Sequence, residues 1–215
     1  MTFTCMKASI QNPHFLLRRL HSLSGLLPVG AFLIFHLWEN SQSRFGMAHY
    51  NEQVVAALQR MNYLPLLEIF VIALPILFHA GYGLVILRSG RAELRRYPWL
   101  HNRFYWLQRL SGVAILLFLL AHVGMTRFWG IWEPAVKADL FGHMQQLLSH
   151  PLIFLLYLLG LLLSLLHLGN GLWTMGISWG VTVTPRAQQL SFLICMGFTL
   201  LLFAVGLQGL WGFIV

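Results

Sequence analysis

The chain has 215 residues, of which 58% are hydrophobic and 9% charged, and its formal net charge is +8 at pH 7. A typical soluble domain carries about 25% charged residues, so this composition excludes a water-soluble globular fold and indicates several membrane spans. We interpret the positive charge as a record of membrane topology rather than as a nucleic-acid-binding surface.

Five apolar segments are each long enough to cross a hydrocarbon core of about 30 Å. They predict an all-α fold, a single antiparallel bundle of five transmembrane helices over residues 1–215. A short polar N-terminal tail and a polar connection from Glu39 to Asn62 are expected outside the helices. Pro28 is expected to kink the first helix locally. The predicted helices cover about residues 20–37, 63–87, 104–125, 151–175 and 190–215.

Lysine and arginine are distributed unevenly between the two sides of this bundle. Ten lie on the side of the N-terminus and four on the other side. Because positive residues mark the cytoplasmic side, the N-terminus is predicted in the cytoplasm and the C-terminus outside. The ten residues are Lys7, Arg18, Arg19, Arg88, Arg91, Arg95, Arg96, Arg103, Arg109 and Arg186, and the four are Arg44, Arg60, Arg127 and Lys137.

One histidine lies inside each of the first four predicted helices, and none lies inside the fifth. They are His36, His79, His122 and His167, at successive spacings of 43, 43 and 45 residues. An ionisable side chain at membrane depth is costly without a partner and is therefore a functional hypothesis. The other six histidines fall in loops or at helix ends and are interpreted as solvated or interfacial.

The depth of each histidine follows from the helix rise of about 1.5 Å per residue. His36 and His122 lie ~24 and ~27 Å from the cytoplasmic side, whereas His79 lies ~12 Å and His167 ~9–18 Å from it. Two histidines at one level on facing helices suit a six-coordinate haem. A closed zinc or copper site fits less well, because two imidazoles per level are too few ligands. We therefore predict two bis-histidine haems at two levels.

Four segments together carry a resemblance to a known family. In their order and near-equal spacing they resemble the di-haem cytochrome b membrane anchor of bacterial succinate:quinone oxidoreductases and fumarate reductases, in the single-subunit, five-span form. The resemblance covers essentially the whole chain. It implies that His36 with His122 hold the distal haem b and His79 with His167 the proximal haem b, the pairing that the depths also give. The segments are RRLHSLSGLLPVGAFLIFHL, LPILFHAGYGLVI, QRLSGVAILLFLLAHVG and LLSLLHLGNGLW.

The resemblance also implies a function. The chain is expected to anchor a flavoprotein subunit and an iron–sulfur subunit on the cytoplasmic face of the bacterial inner membrane. Electrons would pass between the iron–sulfur subunit and a membrane quinone, expected to be menaquinone, so this chain carries the quinone half-reaction and no catalytic residue for the dicarboxylate. Some family members have a glutamate of a proton pathway at the position of Leu165, so that pathway is not expected here.

Four polar residues are further candidates for contacts with these cofactors. Arg19 and Arg109, like Arg18, lie at predicted cytoplasmic helix starts, where they would pair with haem propionates or serve as membrane anchors. Glu68 lies in the outer part of the second helix. It would exchange protons with a quinone beside the outer haem, or face water as an interfacial acid.

Small residues mark two helix starts and the last helix. Ser24-Gly25 and Ser111-Gly112 precede the histidines of the first and third helices. The serines would bond propionates or their own helix backbone, and the glycines allow a helix or a flat ligand to approach. A glycine run in the fifth helix predicts close contact with its own bundle, a second copy of the chain, or lipid: Gly206, Gly209 and Gly212.

Two alternatives remain from the sequence. The first is a stand-alone transmembrane electron carrier of the cytochrome b561 type, which usually has six spans and a different ligand order. The second is a haem-free membrane transporter or assembly protein with buried polar histidines.

Overall fold

The computed structural model describes residues 13–89, 96 and 99–215. Within these ranges the chain is helical almost throughout and forms no strand, as predicted for an all-α membrane protein. The predicted polar tail over residues 1–12, which includes Lys7, lies outside the described residues, as do Arg91 and Arg95.

Within the described residues, five helices are long and apolar enough to cross a membrane, the number predicted from the sequence. We call them spans one to five. Shorter helical stretches connect span one to span two, at residues 47–59, and span three to span four, at Pro134–Ala138 and Leu140–Leu148. The spans cover, in chain order, His14–Phe45, Leu64–Ser89, Leu100–Trp132, Pro151–Ser178 and Pro185–Gly212.

The helices extend past the limits predicted from hydropathy, most clearly in span one. The sequence predicts a polar connection from Glu39, whereas the helical backbone continues to Phe45. Ser41 and Ser43 are only 5% and 1% exposed, because span five covers this part of the chain. Hydropathy marks the stretch that lipid surrounds, and a helix continues beyond it where protein satisfies the polar groups.

The distortion expected at Pro28 takes the form of a π-helical segment, Gly25–Gly30. Proline has no backbone N–H, so the regular helical hydrogen-bond pattern cannot continue through it. Spans two and three contain similar segments, at Glu68–Ala73 and Gly124–Phe128. Three of the four spans that carry an interior histidine therefore change their helical phase along their length.

Span four lies at the centre of the bundle. It packs against spans three and five, and span five also packs against the second half of span one. The apolar core at this junction consists of Leu37, Leu161, Leu165 and Leu202, of which Leu165 is fully buried. In contrast, no side chain in the apolar window of span two is buried. Its outward-facing apolar side chains match a lipid environment.

The glycine run of span five contacts its own bundle, which is one of the three contacts that the sequence allows. A Cβ at Gly209 would lie 3.0 Å from the carbonyl carbon of Asn40, so a side chain there would press on the backbone of span one. Ser43 Oγ also donates a hydrogen bond to the Gly209 carbonyl at 2.8 Å. Glycine therefore permits the close approach of these two backbones.

The two ends of the bundle differ. One end, which we call the basic end, contains the starts of spans one, three and five, and there Arg18 donates to Ser89 at 3.4 Å, joining spans one and two. The other end, which we call the capped end, carries the short helices. Asn51 there donates to Asp139 at 2.7 Å and ties two of them together. The cytoplasmic location of the basic end stays a prediction.

Candidate functional site

The four interior histidines form two pairs inside the bundle. Near the capped end, the ring centres of His36 and His122 are 5.8 Å apart. Near the basic end, those of His79 and His167 are 6.2 Å apart. The structure thus brings together the same pairs as the predicted depths. In both pairs the ring planes are close to perpendicular, at 77° and 81°.

The separation within each pair leaves room for a metal between the rings. Two metal–imidazole bonds of about 2 Å each, plus the distance from each bonded nitrogen to its ring centre, separate the centres by roughly 6 Å. The observed separations of 5.8 and 6.2 Å are close to this value. Iron ligation stays a prediction, and the surroundings of each ring show how well a haem fits.

A backbone carbonyl holds His79 in one tautomer. Its Nδ1 lies 3.0 Å from the carbonyl oxygen of His21. Because a carbonyl oxygen only accepts hydrogen bonds, Nδ1 carries the proton and Nε2 keeps a lone pair for a metal. The His21 ring also stacks on the His79 ring, with centres 4.1 Å apart and planes 10° from parallel. The interpretation of His21 as solvated or interfacial is therefore wrong: it packs inside the bundle against this candidate ligand and orients it.

A serine hydroxyl has the same effect on His167. Ser111 Oγ donates to the Gln108 carbonyl at 3.2 Å and lies 3.0 Å from Nδ1 of His167. When Nε2 of His167 binds a metal, Nδ1 carries the proton and donates it to this hydroxyl, whose own proton goes to the Gln108 carbonyl. Ser111 thus supports a candidate ligand directly, whereas Ser24 donates to the His21 carbonyl of its own helix at 2.9 Å.

The glycines of the two Ser-Gly motifs face the histidine rings at the basic end. A Cβ at Gly112 would lie 3.1 Å from Cε1 of His167, and a Cβ at Gly25 would collide with the His79 ring. The close approach expected from these small residues is therefore that of a helix backbone to a histidine ring.

The pair at the capped end is supported differently. Asn40 donates to the His36 carbonyl at 2.7 Å, and its Nδ2 lies 3.4 and 3.3 Å from Nδ1 and Nε2 of the His36 ring, so it contacts both ring nitrogens. Tyr50 donates to Oδ1 of Asn40 at 3.2 Å. Burial raises the pKa of the Tyr50 hydroxyl well above its usual value, and the Glu39 carboxylate raises it further. The hydroxyl therefore stays protonated and remains a donor to Asn40.

His122 is enclosed by aromatic side chains. Phe118 stacks on it with ring centres 5.6 Å apart, and the centre of the Tyr157 ring is 5.4 Å away. Nδ1 of His122 is buried and has no hydrogen-bond partner among the described residues. Buried polar atoms are seldom left unpaired, so the described residues do not fix the tautomer of His122 as they fix that of His79.

Taken together, the residues present fit a haem at each level. At the basic end, both rings present a free Nε2 because their Nδ1 atoms are engaged. At the capped end, the fit rests on the ligand spacing of the two rings, and Nδ1 of His122 is not held by the described residues as the Nδ1 atoms of the basic end are. A helical bundle interior is a recurring location for such sites.

Of the predicted propionate partners, Arg109 retains an unused donor. Its guanidinium lies 3.4 Å from the Tyr105 ring centre and donates through Nη1 to the Tyr105 carbonyl. Its Nε is buried without a partner in the described part of the chain and is available to a carboxylate. Arg19 instead lies over the rings of Phe15 and Trp179, at 5.1 and 5.0 Å.

Glu68 forms an ion pair that ties span two to span three. Arg127 donates to its two carboxylate oxygens at 3.0 and 2.8 Å. This bidentate geometry is a strong form of charge-assisted hydrogen bonding. Both residues lie in the π-helical segments of their spans. The predicted part of Glu68 in quinone protonation stays a prediction.

A cavity of about 430 Å³ opens at the capped end beside span one. Its walls include Phe35, Trp38 and Leu58, and its polar lining includes Glu39 and His49. Apolar walls with a few polar groups are typical of small-molecule sites. Glu68 is not one of its lining residues.

The sequence alone does not identify several groups that contact the interior histidines or line the cavity. Asn40 lies one helical turn after His36, and this i, i+4 spacing was an available signal. The contact between the His21 carbonyl and His79 joins two helices, and no local pattern predicts it. Glu39, which the sequence predicts in a polar connection, belongs to span one.

Five apolar spans with paired interior histidines are the arrangement expected of a membrane-embedded cytochrome. Residues 91–206 match the family described as succinate dehydrogenase/fumarate reductase transmembrane subunit. Over 211 residues the chain is 36% identical to the succinate dehydrogenase cytochrome b558 subunit of Bacillus subtilis (strain 168), an alignment that covers 94% of this chain and 98% of that protein. The chain belongs to the succinate dehydrogenase/fumarate reductase transmembrane subunit family. Membership confirms the resemblance drawn from the sequence.

Proposed function

We propose that this chain anchors a succinate dehydrogenase or fumarate reductase in the bacterial inner membrane and exchanges electrons with quinone through two bis-histidine haems b. The observation that carries the proposal is the pair of interior histidine sites, with ring centres 5.8 and 6.2 Å apart. When bound, the haems supply one-electron transfer between the two levels. The chain fixes the ligand rings, holds the levels apart and surrounds them with apolar helices.

The proposed partners are a flavoprotein and an iron–sulfur subunit docked at the basic end. Support comes from the relative in Bacillus subtilis, which is named a cytochrome subunit of succinate dehydrogenase. The pair His79 and His167 lies nearer this end, so electrons exchanged with the iron–sulfur subunit would enter or leave the bundle at this level. This chain then carries the quinone half-reaction.

Purification of the chain from its native membrane tests this function. The expected product is a complex that contains the flavoprotein and iron–sulfur subunits, with about two haems per chain and a b-type α-band after reduction. A complex without this band contradicts haem binding. A haem-loaded chain that purifies without either subunit favours the stand-alone carrier.

The quinone is proposed to bind in the cavity at the capped end. Phe35, Trp38 and Glu39 line this cavity from the helix that carries His36 and flank it in sequence, so a bound quinone would lie near the depth of the capped-end pair. Reduction of a quinone takes up two electrons and two protons. Glu39 and His49 are the titratable groups among the lining residues, and they are the candidates for proton exchange with it.

Filling this cavity is expected to impair quinone turnover selectively. Ala57 lines the cavity and is itself exposed, so Ala57→Phe adds volume there without entering the core. We expect the KM for quinone to rise about tenfold, equivalent to ~1.4 kcal/mol of lost binding. The measurement is succinate:quinone activity of the intact complex, compared with succinate oxidation by a soluble dye.

Ala48→Phe is the matched control, because Ala48 is exposed on a neighbouring short helix and does not line the cavity. It should leave the KM for quinone unchanged. If Ala57→Phe and Ala48→Phe have equal KM values for quinone, the quinone does not bind in this cavity.

A further inference from the structure

Two buried amide side chains join span three to span four close to His167. Asn170 is 1% exposed, and its Nδ2 donates to Oε1 of Gln108 at 2.6 Å and to the Phe104 carbonyl at 3.0 Å. Gln108 in turn donates from Nε2 to the His167 carbonyl at 3.1 Å. Gln108 and Asn170, which we call the amide pair, therefore link the backbones of both spans.

The orientation of these amides follows from their partners. The Phe104 and His167 carbonyls only accept hydrogen bonds, so each amide must turn its NH₂ group towards a carbonyl. Gln108 Oε1 is then the acceptor that Asn170 Nδ2 requires. Exchanging N and O in either amide would place two acceptors against each other, so the arrangement has one consistent form.

The amide pair lies on the same helix faces as His167 and the group that orients its ring. On span three, Gln108 is three residues before Ser111, whose hydroxyl contacts Nδ1 of His167. On span four, Asn170 is three residues after His167, so both lie on one helix face. The hydrogen bonds of the amide pair therefore fix the rotation and register at which His167 meets Ser111.

We propose that the amide pair positions His167 and thereby sets the reduction potential of the haem at the basic end. This inference rests on the proposed function, in which His79 and His167 hold that haem. Gln108 and Asn170 are positioning residues, because they act through the His167 backbone and its contact with Ser111. A histidine that donates from Nδ1 is a more basic ligand, which favours the ferric state. Loss of this alignment should therefore raise the potential.

The experiment uses the intact complex in membranes and compares Gln108→Leu with the unmodified protein. We expect the basic-end haem to remain bound while its ferrous-to-ferric ratio at a fixed potential rises about tenfold, which is ~59 mV for a one-electron couple. Its low-spin EPR signal should shift as well, because the g-values of a bis-imidazole iron depend on the angle between the ring planes. The capped-end haem should show neither change.

The exchange variant Gln108→Asn with Asn170→Gln tests the pair as a unit. It restores one long and one short amide across the same gap, so its potential and EPR signal should lie closer to the unmodified protein than those of Gln108→Leu. If Gln108→Leu yields no complex, Gln108→Asn alone tests the pair instead: it keeps an amide but shortens it, and should raise the same potential by weakening the bond to the His167 carbonyl.

Thr199→Val is the control for the loss of a buried polar contact. Thr199 is 5% exposed and donates to the Cys195 carbonyl at 2.9 Å, and it has no hydrogen bond to the amide pair or His167. Both haems should be unchanged in this variant. An unshifted basic-end haem in Gln108→Leu, or equal shifts of both haems, would overturn the inference. Absence of haem from the unmodified complex would instead refute the proposed function.

Discussion

His36→Ala is expected to remove the haem at the capped end and to leave the haem at the basic end in place. The ring of His36 is one of the two imidazoles at its level, and only His122 would remain there as a ligand. His167→Ala should have the opposite effect, since His79 is its partner at the other level. Haem content should fall in each variant from about two to about one per chain, and EPR of the oxidised complex should identify which signal is lost.

His143→Ala is the control for the general loss of a histidine. His143 lies at the capped end, where its Nε2 is 2.8 Å from the Met125 carbonyl rather than opposite another imidazole. Both haems should be retained. Two haems in His36→Ala or in His167→Ala would refute the pairing, and loss of the basic-end signal in His36→Ala would show that the pairs are exchanged.

The ring pairs could be anticipated because they depend on quantities that a sequence contains. Span direction alternates, and the helix rise converts distance along a span into depth. This is sufficient to place His36 level with His122. The end of span one could not be read in the same way. Asn40 and Ser43 are polar, yet the helix continues to Phe45, and span five covers this part of it and accepts a hydrogen bond from Ser43.

Contacts that depend on how each helix is rotated about its axis also cannot be predicted from the sequence. Ser111 and His167 are 56 residues apart, and Glu68 and Arg127 are 59 apart. A turn of either helix by half a revolution would separate such a pair without altering depth or hydropathy. The π-helical segment at Glu68–Ala73 also changes the helical phase, so a regular helical wheel fails there. The depth of a residue in the membrane can therefore be predicted from the sequence, whereas the rotation of each helix about its axis depends on contacts with the neighbouring helices.

Among substitutions of residues other than the four candidate ligands, Gly25→Leu is expected to cause the largest selective loss of haem from the basic end. A Cβ at this position would collide with the His79 ring, whose Nδ1 is also held by the His21 carbonyl. The ring therefore has little freedom to move aside. Adding methylene groups to a filled interior costs about 1–3 kcal/mol. The affinity for the basic-end haem should fall about tenfold if ~1.4 kcal/mol of this cost acts on binding, and its occupancy in the purified complex should fall with it.

Gly81→Leu separates this effect from the general consequence of a larger residue in the bundle. Gly81 lies two residues after His79 on the same span, and a Cβ there would meet no atom within 4 Å. Its haem content should match that of the unmodified complex. The haem content of Gly112→Ala should lie between those of the two leucine variants. Its added Cβ would lie 3.1 Å from Cε1 of His167, a tight contact that a small ring movement relieves. Equal occupancy in Gly25→Leu and Gly81→Leu would mean that the His79 ring does not lie against span one, and the ligand geometry at the basic end would then be wrong.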